Sequence, residues 1–338
     1  MKNRQISSIA LFFTLLVLHT SCKDELITVE GWKDIPVVYA VLSTKDTATY
    51  IRVEKAFSDP TKNAIDVAQI ADSLYYADAI VSLVNDKTNE RFNLTQVDGN
   101  TEGYPRKDGV FAKAPNKMYK IKTAKLAMKA DEKWRIEVVR QGKMIVKETI
   151  AVVGEYVLTA PINKTLFFRN DGQFSISIQT DEDEQTGRTY EANVNLNIDE
   201  TLNGATKANR LVWKFRTQDT RGKLGARFDP TVDFQNLAKE FYTFLNLNIP
   251  VVAGMSRTVK SIDLEVLIGG QEFIDYRARF NSNSGITGSQ TILNYANKGG
   301  SLGFVSSRSR VLGTDFKLSN ETLENLKNKE LTKNLGFK

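Results

Sequence analysis

Tyr190-Glu191-Ala192-Asn193-Val194-Asn195-Leu196-Asn197-Ile198-Asp199 alternates apolar and polar residues without a break. Side chains of a strand point to opposite faces in turn, so this pattern lays five apolar side chains against a core and five polar ones toward water. A helix would scatter them round its circumference. The same period recurs on both sides. Phe174, Ile176 and Ile178 alternate with Gln173, Ser175, Ser177 and Gln179, and Leu211, Trp213 and Phe215 with Val212, Lys214 and Arg216. Ile262, Leu264 and Val266 alternate with Asp263 and Glu265. One buried and one wet face per strand is the habit of antiparallel sheets.

The N-terminal half is noisier. Pro36 to Leu42 reads as a buried strand, and Ile51 and Val53 alternate with Tyr50, Arg52 and Glu54. Ala79–Val84 and Arg91–Leu94 would pair across Asp86-Lys87-Thr88-Asn89. Trp134, Ile136 and Val138 alternate with Arg135 and Glu137, and Gln141-Gly142 turns the chain back into Lys143–Ile150. Helical signals are few. Asp66–Ser73 would make two turns. Phe234, Leu237, Phe241, Phe244 and Leu245 recur at helical spacing over 232–247, ended by Asn248-Ile249-Pro250. Gln271–Phe280 suits a short helix. Ser319 would cap a helix over 320–331 carrying Leu323, Leu326 and Leu331. The expected fold is therefore mainly β: two β-sandwich domains of immunoglobulin or transthyretin type, over 35–158 and 159–338, with a few short helices. Strand patterning pauses near Gly154–Pro161, which sets that boundary. A chain of 338 residues is also longer than one core usually fills.

The first residues have a different character. Lys2 and Arg4 precede the apolar run Ile9–Leu18, then Thr20-Ser21 precede Cys22. A positive start, a short apolar run and small residues make a secretory signal over 1–21, and the run is too short to span a bilayer. Cys22 is the only cysteine, so no disulfide can form within the chain. Leu16-Val17-Leu18-His19-Thr20-Ser21-Cys22 resembles a bacterial lipobox, with His19 where an aliphatic residue is usual. Residues 22–34 are then a lipidated cysteine and its tether, and the first partner is outer-membrane lipid through acylated Cys22. Multiple acyl chains, at about 0.8 kcal/mol per buried methylene, hold such an anchor firmly. Lys23-Asp24-Glu25 looks like the surface-export tag of Bacteroidota lipoproteins. Asp46-Thr47-Ala48 and Asp72-Ser73-Leu74 look like O-glycosylation sites of exported proteins from the same bacteria, at Thr47 and Ser73.

Composition also excludes chemistry. His19 is the only histidine and would leave with the signal. Ser-His-Asp and Cys-His catalysis, and histidine-ligated zinc, are excluded from such a mature chain. No cofactor is implied. After residue 21 there remain 44 basic and 40 acidic residues, interspersed, which argues against a nucleic-acid partner. Asp181-Glu182-Asp183-Glu184 is the densest acidic cluster. Asp181 and Asp183 would offer oxygen ligands to a hard cation, but the spacing is not that of an EF-hand, Arg188 offsets the charge, and a solvated loop is the simpler reading. A carboxylate pair for glycoside hydrolysis is possible among 40 acids, though no spacing marks one. Lys298-Gly299-Gly300-Ser301-Leu302-Gly303 lacks the ending of a phosphate-binding loop and suits a tight turn. Arg308 and Arg310 follow on a strand. Trp32, Tyr75, Tyr76, Tyr104 and Trp134 are candidates for a carbohydrate-binding face or, more simply, for core packing.

Three stretches carry a family resemblance: Ile27-Thr28-Val29-Glu30-Gly31-Trp32 after Cys22; Pro36–Leu42 with Tyr50-Ile51-Arg52-Val53; and Glu272-Phe273-Ile274-Asp275-Tyr276, Asn294-Tyr295-Ala296-Asn297 and Gly299–Arg308. Together they resemble a Bacteroidota lipoprotein family described only as a domain of unknown function. The resemblance implies a β-rich surface lipoprotein associated with TonB-dependent transporters or other outer-membrane barrels, and it transfers no catalytic residue. The expected function is thus a non-catalytic accessory or binding subunit of an outer-membrane β-barrel complex, in transport or barrel assembly. The alternatives are a stand-alone glycan- or protein-binding adhesin and a carboxylate-dependent hydrolase.

Overall fold

The computed structural model of the protein describes residues 35–56, 63–169, 171–180, 186–220, 231–282 and 296–338. The N-terminal half holds β1 (Ile35–Leu42), β2 (Ala48–Ala56), α1 (Ala64–Ala68), α2 (Ala71–Leu74), β3 (Ile80–Asn85), β4 (Arg91–Asn93), β5 (Thr95–Asp98), β6 (Lys117–Lys122), β7 (Lys133–Arg140) and β8 (Lys143–Ala151). The C-terminal half holds β9 (Val157–Ala160), β10 (Thr165–Leu166), β11 (Gln173–Gln179), β12 (Arg188–Leu202), β13 (Ala205–Lys214), β14 (Gln218–Thr220), β15 (Thr231–Leu237), α3 (Lys239–Asn248), β16 (Ser256–Gly269), α4 (Gln271–Ser282), β17 (Leu302–Leu318) and α5 (Asn320–Asn328). The protein is mainly β and built of β-sandwiches.

The sandwiches share one layer. A ten-stranded sheet runs β13-β12-β16-β17-β1-β2-β6-β5, with β10 and β14 paired at its sides. Its halves meet where β1 lies parallel to β17, Val38 beside Gly303 and Tyr39 beside Phe304. The sheet β4-β3-β7-β8 covers the first half and β15-β11-β9 covers the second. Val305 belongs to the first core and Val311 to the second. These residues are six apart on one regularly alternating strand, so both small sheets pack on the same face of the long sheet.

Each core follows from the alternation. Val38, Ala40, Leu42, Ile51 and Val53 face Leu83, Trp134, Ile136 and Val138. Val194, Leu196, Leu264 and Val266 face Phe174, Ile176, Ile178 and Phe234. Each such side chain contributes about 1.5–3 kcal/mol when fully buried, and in the absence of disulfides this burial is what holds the chain. Phe168 stacks on Phe241 at 4.1 Å between ring centroids and lies 6.0 Å from Trp213, which fixes α3 against the second core. Asn203 and Gly204 make the β12–β13 turn with φ of 51° and 82°, the left-handed pair that a two-residue hairpin turn needs. Arg188, 1% exposed, donates from Nη2 to Asp131 at 3.0 Å and so ties β12 to the first sandwich.

The elements expected at Gln271–Phe280, at the Asp86–Asn89 hairpin and at the Gln141-Gly142 hairpin form as α4, β3–β4 and β7–β8. Four expectations need correction. The helix over 232–247 forms only from Lys239; residues 231–237 are strand β15, because Val232 and Phe234 alternate into the core and pair with Ile178 and Ile176 of β11. Asp66–Ser73 is two short helices broken at Gln69-Ile70. The C-terminal helix stops at Asn328, and Leu331 lies beyond it, 44% exposed. The Pro36–Leu42 strand is buried on one face only, since Tyr39 points outward at 46% exposure.

Ser319 caps α5 as its sequence suggests, its Oγ accepting from Thr322 N at 3.2 Å. Ser319→Ala is expected to cost about 1 kcal/mol, a drop of a few degrees in a calorimetric melt. An unchanged melting temperature would show that the cap contributes nothing here.

Candidate functional site

Among the described residues, no third sheet lies over the face of the long sheet opposite the two cores. Its strands present Tyr50, Arg52 and Glu54 from β2, Val37, Tyr39 and Val41 from β1, and Phe304, Ser306 and Arg308 from β17. These are the positions that alternate with core residues. Helix α4 lies across one part of this face. It folds back at once after β16 because residues 269 and 270 are glycines. A Cβ on Gly269 would stand 2.6 Å from the Phe273 ring, and one on Gly270 2.9 Å from Glu272 Oε2. Gly270 N then donates to Ser307 O, and Glu272 accepts from Ser306 Oγ at 2.9 Å. The helix is thereby pinned on β17, with Phe273 and Tyr276 against the Phe304 ring at 4.8 and 5.3 Å.

Between α4 and the segment of α1 with Val110 and Phe111 lies a groove of about 800 Å³. Tyr39, Glu54, Leu302 and Phe304 form its floor, Phe273 and Tyr276 one wall, and Ile65, Val110 and Phe111 the other. That size and this mostly apolar lining with a few polar groups are usual for a ligand site. Beside it the floor continues into a shallow shelf that includes Tyr39, Asp46, Tyr50, Arg52, Tyr104 and Arg308.

The charges of the shelf are paired. Arg308 Nη2 bonds both oxygens of Asp46, at 2.9 and 3.2 Å. Arg52 donates to Asn116 Oδ1 at 2.7 Å and to Glu54 at 3.2 Å, and Arg106 also reaches Glu54. Tyr50 OH donates to Glu102 at 2.8 Å, and Lys120 bonds the same carboxylate. The Lys120 ammonium, with the Tyr50 hydroxyl, holds Glu102 below the usual carboxylate range. Burial, then Glu54, pushes the Tyr39 phenol up, and burial and the bond to Glu102 do the same for Tyr50. Both tyrosines keep their protons near neutrality.

Of the residues singled out in the sequence, Cys22, Lys23, Asp24, Glu25, Trp32, Asp181 and Asp183 lie outside the described residues. Arg188, expected to offset the acidic loop, donates to Asp131 at 3.0 Å. Thr47 is exposed in the β1–β2 turn, next to the Asp46 that holds Arg308. Ser73 is partly buried, its hydroxyl donating to Ile70 O at 2.6 Å. Trp134, Tyr75 and Tyr76 are packed away at 1%, 4% and 3% exposure, and only Tyr104 of the described aromatic candidates reaches the shelf. Arg308 is on it, whereas Arg310 pairs with Glu265 at 3.5 Å further along β17. The aromatics that do assemble, Tyr39, Tyr50, Phe304, Phe273 and Tyr276, were not visible as a set. Their one signal is an aromatic at outward positions of strands whose inward positions are aliphatic, and it means nothing until β17 is known to lie beside β1.

The glycine-rich motif is a strut. Gly299 N and Ser301 N donate to the two oxygens of Glu148, at 2.6 and 3.0 Å, and Ser301 Oγ adds a third bond at 2.6 Å. Asn297 Oδ1 accepts from Val305 N at 2.9 Å, and its Nδ2 donates to Ser301 Oγ at 3.0 Å and Leu302 O at 3.2 Å. The turn thus fastens the start of β17 to β8.

No family model and no curated protein matches the chain. Among solved structures it is similar to the C-terminal globular domain of oligosaccharyltransferase from Pyrococcus abyssi, at 10% identity and a TM-score of 0.25 over 70% of this chain and 47% of that one. It is also similar to the chicken CNTN1 FN1–FN3 domains, at 8% identity and a TM-score of 0.18 over 82% and 65%. A cytokine receptor complex aligns at 8% identity and a TM-score of 0.21 over 84% and 99%. The chain spans about half the length of the first of these and about two thirds of the second.

Proposed function

We propose that this chain is a non-catalytic binding subunit, lipid-anchored through Cys22 at the surface of an outer membrane, where it is accessory to a β-barrel protein such as a TonB-dependent transporter or assembly machine. The observation that carries the binding role is the face of the long sheet over which, among the described residues, only α4 and the segment with Val110 lie, leaving a groove between them. Sheet faces that pack nothing are normally polar. Here Tyr39 on the sheet and Val110 and Phe111 in the loop facing it are 46%, 49% and 44% exposed around the groove, as on a surface that is completed by a partner. The signal, the single cysteine and the Lys23-Asp24-Glu25 tag support the location, and the resemblance of the three stretches supports the barrel.

A photo-crosslinking residue at Val110, on the groove wall, tests this in native outer membranes against one at Ile162, which is 89% exposed elsewhere. The expected result is a barrel adduct from position 110 and none from 162. An adhesin acting alone gives no barrel adduct from either position, and that result removes the accessory role.

A further inference from the structure

The ten-stranded sheet ends at β13, and among the described residues no strand pairs with the outer side of β13. Leu202 and Ala205 close a two-residue turn as a hydrogen-bonded pair, so every second pair along β12 and β13 is bonded in the same way, as far as Val194 with Trp213. Phe215 N donates to Ala192 O at 2.9 Å, which carries the same series one step further. The residues in between, Thr206, Ala208, Arg210, Val212 and Lys214, therefore turn their N–H and C=O groups away from β12. Arg210 bears this out: among the described residues, its N–H bonds the Asn209 side chain, at 2.8 Å, and not β12. The register runs without a bulge along the whole strand, about 34 Å, and the strand holds no proline. An exposed edge of this length is a template for another strand, and its side chains decide which strand is admitted.

We propose that the outer edge of β13 takes up an extended peptide segment in which carboxylates stand two positions either side of an apolar residue. The proposal uses neither the groove nor the barrel partner. In strand addition the main-chain bonds supply affinity and the alternate side chains supply selection. The side chains of the five edge residues lie on the outer face, because Leu211 and Trp213 between them face the second core. Arg210, Val212 and Lys214 follow one another on that face and are exposed, Val212 at 41%. A strand paired there sets one residue opposite each of them. The charge along the edge is unbalanced. β13 contains Lys207, Arg210 and Lys214 and no acid, and Arg216 follows it. The acids of the neighbouring strands are engaged: Glu191 with Lys214 at 3.4 Å, Glu200 with Arg257 at 2.7 Å, Asp199 with Lys260 at 3.6 Å and Asp219 with Arg277. Among the described residues this leaves Lys207, Arg210 and Arg216 without a carboxylate. Lys214, whose side chain is 67% exposed in its pair, has room for a second one. Like charges opposed across a strand pair repel, so these cations keep off a second β13 or any basic segment and favour an acidic one. Val212 selects the apolar residue between the two acids.

The test is peptide titration, with hydrogen exchange read by mass spectrometry, on the full-length protein in detergent. The probe is a short capped peptide in which threonine alternates with glutamate, valine and glutamate in turn. Its controls are the same peptide with lysine for glutamate, and the same peptide N-methylated at its glutamates and valine, which removes the N–H groups that would face β13. The expected result is binding of the acidic peptide with exchange slowed across Ala205–Lys214, no binding of the N-methylated peptide, and about tenfold or more weaker binding of the lysine peptide. Ala208→Pro should abolish binding; the Ala208 N–H faces outward, so proline there takes no bond from β12. Arg210→Glu should weaken the acidic peptide by about fivefold or more, and as an exposed substitution it decides the matter if Ala208→Pro fails to fold. The proposal is overturned if the acidic peptide does not bind at about 1 mM, if the N-methylated or the lysine peptide binds equally well, if both variants bind as the native chain does, or if the slowed exchange lies outside β13. It is equally overturned if the edge is filled by a second copy, seen as protection of β13 that rises with protein concentration alone. A barrel adduct at position 110 without peptide binding would sink the edge and leave the accessory role standing; peptide binding without the adduct would do the reverse.

Discussion

Gly303→Ala is expected to lower stability by about 3–5 kcal/mol, a fall on the order of 10 °C in the thermal midpoint. Gly303 has a φ of +104°, and a Cβ there would stand 2.2 Å from Val38 O and 2.8 Å from Val38 C. These are backbone atoms of the partner strand, so no side-chain rotation relieves the clash. β1 and β17 would have to separate, and their pairing is what joins the two halves of the long sheet. Gly109→Ala is the control, because nothing stands within 4 Å of its Cβ. It should fall within about 0.5 kcal/mol of the native chain. Circular-dichroism melts of both variants decide the matter. Equal midpoints would mean that the β1–β17 contact is looser than the register implies.

Glu148→Ala should have the next largest effect, about 3–5 kcal/mol, read as a lower urea midpoint at unchanged slope. Glu148 is 1% exposed and accepts three hydrogen bonds from Gly299 and Ser301. Truncation leaves those donors buried without acceptors, each at about 1–3 kcal/mol, and opens a cavity. Glu148→Gln keeps the volume but turns an amide toward a donor, so its effect should be intermediate. A shift below about 1 kcal/mol for Glu148→Ala would show that water replaces the carboxyl group and that the turn stands without it.

Both variants act at the junction of β1, β8 and β17, where the local reading of the chain was weakest. Period-two alternation is a property of neighbouring residues, and strands such as β11, β12, β13 and β16 are legible from it because one face of each meets a core. The same logic misassigned 232–247. Phe234 and Leu237 satisfy helical spacing as well as they satisfy alternation, and only pairing with β11 decides between them. The Asn297–Gly303 motif was recognisable as a pattern and a turn, but not as a strut, because its acceptor, Glu148, is about 150 residues away. Of the aromatics first considered, Trp134, Tyr75 and Tyr76 went inside, since large rings gain more from burial than from display. The aromatics that assemble on the outer face instead, Tyr39, Tyr50, Phe304, Phe273 and Tyr276, come from two halves of the chain.

The sequence by itself determined the strand class, the helix cap at Ser319, the single cysteine and the absence of histidine after residue 19, because each depends on residue type or on neighbours a few positions apart. Only the tertiary structure decided that both sandwiches rest on one face of a shared sheet, and that Tyr39, Tyr50, Phe304 and Tyr276 meet on the other. Those facts depend on β1 lying parallel to a strand more than 260 residues later. Local propensity carries no information about such a pairing; it is selected by the burial of Val38, Val305 and their neighbours in common cores.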